Sequence, residues 1–100
     1  MAVSSVVTFH VRDGRHGEQV ENLKAVKRLV EQGGGTFRVH RQLFGSLVSH
    51  LVVVSEYKDW NGFTKVRSDP EFSQLVERIR GSANPAADLV GADVYEELMV

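Results

Sequence analysis

No cysteine occurs in this 100-residue sequence, which excludes disulfides and thiolate metal sites. Glycine (9) and proline (2) are too few for a fibrous or low-complexity chain, and the remainder is an ordinary globular mixture. No charge of one sign prevails: 12 Lys and Arg face 13 Asp and Glu, for a net charge of -1. A nucleic-acid binder needs a basic surplus or stripe to neutralise phosphates, and Arg38, Arg41, Arg78 and Arg80 are too few and too separated to form one. Nucleic acid is therefore not an expected partner. Long apolar runs are missing as well. The longest, Leu51 to Val54, falls far short of the ~20 residues a membrane helix needs. Met1 to Ser5 lacks the basic and apolar regions of a secretory signal. A cytoplasmic chain with no membrane partner is expected, forming a single domain over residues 1–100, since this length is too short for two cores.

What is present alternates between two periods. Ser5 to Val11 is β-branched and aromatic, with Val7, Phe9 and Val11 on one face, and reads as a strand. Asp13 to Gly17 is a turn-rich break, read as a surface turn rather than an anion site. From Glu18, Val20, Leu23, Val26 (or Lys27) and Val30, joined by Leu29, form a helical stripe. It ends at Gly33-Gly34-Gly35, where a glycine can take the left-handed cap conformation. A phosphate loop leads from strand into helix, and this triplet does the reverse.

Thr36 to Phe44 alternates again, with Phe37, Val39, Arg41 and Leu43 opposite Arg38, His40 and Gln42. Gly45-Ser46 is a turn, and His50 to Tyr57 carries an apolar run suited to a central strand. Asp59 can cap a short helix bearing Trp60, Phe63 and Val66. Ser68-Asp69-Pro70-Glu71 restarts a helix, with an acceptor side chain, proline in the first turn and glutamate three after serine. Phe72, Leu75, Val76 and Ile79 supply its buried stripe, and Leu89 to Leu98 closes the chain as a strand with a solvated acidic end at Asp93, Glu96 and Glu97. The order β-α-β-β-α-β predicts an α+β, ferredoxin-like fold with a four-stranded antiparallel sheet and both helices on one face. The other face starts uncovered. Three strands carry apolar residues at both parities (Val6 beside Val7, Val52 beside Val53, Val94 beside Tyr95), so a second copy is expected to cover it.

The stretches Arg38-Val39-His40-Arg41-Gln42-Leu43-Phe44-Gly45, Leu51-Val52-Val53-Val54-Ser55-Glu56-Tyr57 and Asp69-Pro70-Glu71-Phe72 resemble the dimeric α+β barrel superfamily. Within it the pattern is most similar to NIPSNAP-like and antibiotic-biosynthesis-monooxygenase-like domains. The resemblance implies a homodimer that binds or transforms a small organic molecule, as a cofactor-independent monooxygenase-like enzyme. The alternative is a non-catalytic ligand-binding or assembly domain. The superfamily's haem-degrading members use an Asn on strand one and a Trp and His in the second helical region. Here strand one has Thr8 and His10, the only Trp is Trp60, and the second helical region has no His, so no cofactor is expected.

If Val7, Phe9 and Val11 lie under the helices, Thr8 and His10 point into the barrel, and by the same parity so do Arg38, His40 and Gln42. A pocket lined by Thr8, His10, Arg38, His40 and Tyr95 would suit an acidic or phenolic ligand. His10 or His40 would be the base and Arg38 the electrostatic partner, with Thr8, Trp60 and Tyr95 as ligand contacts. The opposing reading is that these residues merely hydrogen-bond across the dimer or sit at its rim, and that Trp60 is a core residue. No metal is expected: His10 and His40 would be separated by about 10 Å of sheet, too far for shared zinc ligation. Ser46 and Ser49 lack the context of a nucleophile elbow.

Overall fold

The computed structural model describes residues 1–45 and 50–100. Seven elements follow in order: β1 (Val3–Val11), α1 (His16–Gln32), β2 (Thr36–Arg41), β3 (His50–Tyr57), α2 (Trp60–Arg67), α3 (Pro70–Arg80) and β4 (Ala87–Glu96). The strands form one antiparallel sheet in the order β2-β3-β1-β4, so the fold is α+β as the alternation of periods predicts, with the second helical region split in two. None of the helices is long and apolar enough to cross a membrane, among the described residues. Ser46 and Ser49 lie outside those residues.

The split between α2 and α3 has a local cause. Asp59 accepts a hydrogen bond from the Gly62 amide at 2.8 Å and starts α2. Asp69 accepts one from the Glu71 amide at 2.8 Å, and Pro70 occupies the first turn of α3. The cap is thus Asp69, while Ser68 closes the preceding helix. Proline cannot supply the amide that would carry α2 onward.

Several boundaries and one stripe differ from the sequence expectation. β2 stops at Arg41, leaving Leu43 78% exposed beyond it. β4 begins at Ala87, paired with Val11, and ends at Glu96. α1 starts two residues early, at His16. Its buried stripe enters through Gln19, which is 2% exposed, and not through Val20, which is 41% exposed.

Val3, Val30, Val53, Phe63, Val66 and Phe72 anchor the core between sheet and helices. Burying each such side chain contributes about 1.5–3 kcal/mol. The glycine triplet lets α1 turn back closely onto β2. Gly34 takes φ 92°, while a Cβ on Gly35 would stand 2.9 Å from both Tyr57 and Val30.

Among the described residues β4 pairs with β1 alone, and its register shifts between Thr8 and Phe9, where Val90 is the extra residue. Such a bulge bends and twists the edge strand locally.

Candidate functional site: a cavity between the sheet and the helices

The helix-facing positions of β1 are Val3, Ser5, Val7, Phe9 and Val11, and those of β3 are Leu51, Val53, Ser55 and Tyr57. Two serines interrupt these apolar series. They are direct register partners, Ser5 opposite Ser55, and both are buried. From the opposite layer α1 adds Gln19, also buried. Polar side chains on the core face of a sheet are the informative exceptions to the burial pattern.

These three groups line one cavity of about 100 Å³ that opens to solvent between the sheet and helices α1 and α3. Val7, Phe9, Val26, Val53, Phe72 and Ile79 supply much of its apolar wall. Ser5, Gln19 and Asn22 spend no side-chain hydrogen bond on the protein among the described residues, and no buried side-chain polar atom is left unsatisfied. Their polar atoms are therefore available to whatever fills the space.

Tyr57 closes one end. Its ring meets Phe63 edge-on, with centroids 5.5 Å apart, and it is buried. Burial pushes its phenol above the usual tyrosine range, while a hydrogen bond with Ser55 and the charge of Arg67 pull part of the way back. At the exposed rim Arg67 and Arg80 also line the space. No His, Asp or Glu does so among the described residues.

The residues that sequence parity placed in a pocket lie on the other side of the sheet. Thr8 and His40 both pair with Val52, Arg38 pairs with Val54, Tyr95 pairs with Ser4, and His10 pairs with His50. Thr8, His10, Arg38, His40 and Tyr95 therefore share the face that no helix covers. β3 does lie between β1 and β2, separating His10 from His40. The ring of His10 meets that of His50 instead, with centroids 5.2 Å apart. Beside them, Arg12 donates to Asp88 at 2.8 and 3.1 Å and holds its carboxyl below the usual range. Trp60 is apart from all of these: it opens α2, 56% exposed, with its ring 5.1 Å from Phe63. No group of three or more His, Cys, Asp or Glu is placed to hold a metal ion, among the described residues.

Sequence reasoning passed over Ser5, Ser55, Gln19 and Tyr57. The signal was a polar residue in phase with an apolar series: Ser5 and Ser55 in the alternation of their strands, and Gln19 in the helical stripe through Leu23, Val26 and Val30.

No protein-family model matches the chain, and no curated protein matches it in sequence. Solved structures do match along its whole length. SnoaB, a cofactor-independent oxygenase from Streptomyces nogalater, superposes with a TM-score of 0.76 at 13% identity, over 99% of this chain and 95% of that one. A protein from Deinococcus radiodurans taken to be an antibiotic biosynthesis monooxygenase gives 0.75 at 16% identity, over 100% and 95% of the two chains. Rv0793 from Mycobacterium tuberculosis gives 0.74 at 14% identity, over 100% and 98%. At such identities the likeness is one of fold, and the chain has the ferredoxin-like α+β fold of these monooxygenase-like domains.

Proposed function

We propose that this chain binds a small, largely apolar organic molecule in the cavity between its sheet and helices, and acts on it as a cofactor-independent, monooxygenase-like enzyme. The observation that carries this reading is the buried polar set Ser5, Ser55 and Gln19 around an apolar space. Protein interiors are packed as densely as organic crystals, so an open apolar volume onto which Ser5 and Gln19 bring unspent polar groups is a natural place for a ligand. The fold shared with SnoaB supports the oxygenase half of the reading by analogy.

An oxygenase without a cofactor draws every electron from its substrate. A methylene beside an electron-rich ring is oxidised to a carbonyl, one atom of dioxygen enters that carbonyl, the other leaves as water, and no external reductant is consumed. The cavity suits the protein's part in such a step. Its apolar wall excludes water, and Tyr57, kept neutral by burial, can donate a hydrogen bond to an oxyanion forming on the ligand. No His, Asp or Glu lines the cavity among the described residues, and the substrate that suits such a site is one that ionises readily by itself.

A second reading concerns the open face. Val6, Val52 and Val54 form an apolar centre flanked by Thr8, His10, Arg38, His40 and Tyr95. A second copy laid on it would enclose these residues, either as a further pocket with His10 or His40 as base, or as a plain homodimer interface. NIPSNAP-like proteins remain the other sequence resemblance, and this second reading fits them as well as it fits the monooxygenase-like domains.

Methyl NMR during titration with small aromatic compounds separates the two faces. The expected result is a set of shifts at Val7, Val26 and Val53. Shifts confined to Val6, Val52 and Val54 would move the site to the open face. Oxygen uptake with a ligand that binds, lost in Tyr57→Phe, tests the catalytic half. Native mass tests the dimer.

A further inference from the structure

Arg67 ends α2 and Arg80 ends α3, and both reach the rim of the same cavity. The two are also joined outside it, along a shallow groove that runs over Phe72, Val76 and Glu77. Neither arginine makes an ion pair among the described residues, although the four pairs that do form engage Arg12, Arg15, Lys24 and Arg28. Arg67 is held in place by aromatic faces, its guanidinium 5.5 Å from the Phe63 ring centre and 6.0 Å from that of Phe72. Its charge is felt by the buried Tyr57 phenol, so it acts on the inside of the cavity as well as on the rim. Two unpaired guanidinium groups thus stand over an apolar space that contains no acid, with Glu77 as the only carboxylate lining the adjoining groove among the described residues.

We propose that the ligand of this cavity is a single-ring organic anion, its ring among Val26, Val53, Phe72 and Ile79 and its carboxylate or phenolate oxygen at Arg67 and Arg80. The proposal rests on the cavity being the binding site and specifies what enters it. Size limits the ring count. An engineered cavity of about 150 Å³ takes one benzene, and drug-sized ligands occupy about 300–1,000 Å³. The about 100 Å³ here matches the room for one ring, with the acidic group left at the rim. Arginine forks bind carboxylates through paired charge-assisted hydrogen bonds, so the rim selects charge while the wall selects shape.

The experiment compares phenylacetate with phenylacetamide, which has the same shape and no charge, by calorimetric titration of the full chain. Phenylacetate is expected to bind about tenfold more tightly, the equivalent of one charge-assisted contact. Arg67→Gln combined with Arg80→Gln should erase that preference, weakening phenylacetate far more than phenylacetamide. Both residues are exposed, so the double variant keeps the core, and its melting temperature verifies this. Glu77→Gln should widen the preference, and added salt should narrow it. Naphthylacetate should bind about tenfold less well than phenylacetate, as an oversized body does in a fitted apolar site.

Equal binding of the two phenyl probes, or a preference that survives loss of both arginines, overturns the anion assignment while leaving the cavity as a binding site. Naphthylacetate binding as tightly as phenylacetate overturns the single-ring limit. If neither phenyl probe binds, and toluene causes no shift at Val26 or Val53, the cavity reading itself fails and this proposal falls with it.

Discussion

Val52 and Val53 are neighbours in β3, yet Val53 is 4% exposed beneath the helices while Val52 sits half-buried on the face that no helix covers. The same alternation runs along β1, where Val7 faces the cavity and Thr8 faces away from it. On the two central strands the covered face is nearly all apolar, and its two serines meet at one cavity. The open face mixes valines with histidine, arginine, threonine and tyrosine, spread over all four strands. A face finished by the chain's own helices can concentrate its polar groups where they bind. A face left open must stay tolerable to water, and a scattered mixture of valines and polar side chains satisfies that demand.

The sharpest way to break the comparison is to place one charge on either side. Val53→Asp buries an unpaired carboxylate and should cost more than about 4 kcal/mol, enough to unfold the chain in a urea titration. Val52→Asp should leave the monomer folded and, if a second copy covers the open face, reduce the native mass to that of one chain. Equal destabilisation by the two would mean that the faces are not distinct.

Phe72→Ala should cost roughly 3 kcal/mol, the low end of the range for buried phenylalanine, because its side chain already borders open space. Phe44→Ala, at a residue 95% exposed, should change stability by less than about 0.5 kcal/mol. Within the helical layer, Asp59→Ala and Asp69→Ala each remove a side-chain cap and should cost about 1 kcal/mol, read from urea midpoints.

A pH titration reaches the covered face through Tyr57. Its folded phenol ionises above the ordinary value of 10.0 because burial disfavours phenolate. Stability from keeping it neutral is full below the unfolded value and is lost as pH rises through the folded one. The melting temperature should therefore fall above pH 10, and Tyr57→Phe should flatten that decline. The smallest effect belongs to the exposed Arg12–Asp88 pair at the edge of the sheet. Hydrogen bonding to Arg12 lowers the Asp88 carboxyl, so its contribution holds above the unfolded value and disappears as pH falls through the lowered one. Asp88→Asn should mimic that loss at neutral pH, with the difference vanishing in high salt.

Much of the fold was legible because it is local. The change of hydrophobic period at Glu18 marked α1, the paired signals at Asp59 and at Asp69-Pro70 marked two helices instead of one, and the parity of Val7, Phe9 and Val11 named the covered face of β1. The entry of the α1 stripe was not legible. Gln19 and Val20 both lie within the width of an amphipathic face, and only the angle at which α1 crosses the sheet decides which is buried. The cavity was hidden for a related reason. Ser5, Ser55, Gln19 and Tyr57 come from three separate elements, and each alone reads as a small irregularity in an apolar pattern. The histidines and Arg38 carry chemistry that a sequence shows directly, but what they can do depends on whether anything covers the open face.

The sequence by itself determined the kinds and order of the elements and which residues of each strand share a side, since these follow from periodicity, caps and turns acting over a few residues. Only the tertiary structure decided that helices α1 and α3 leave a gap over Ser5 and Ser55, and that Arg67 and Arg80 meet at its rim. A cavity is the volume left when three surfaces fail to interlock, and no single segment encodes it.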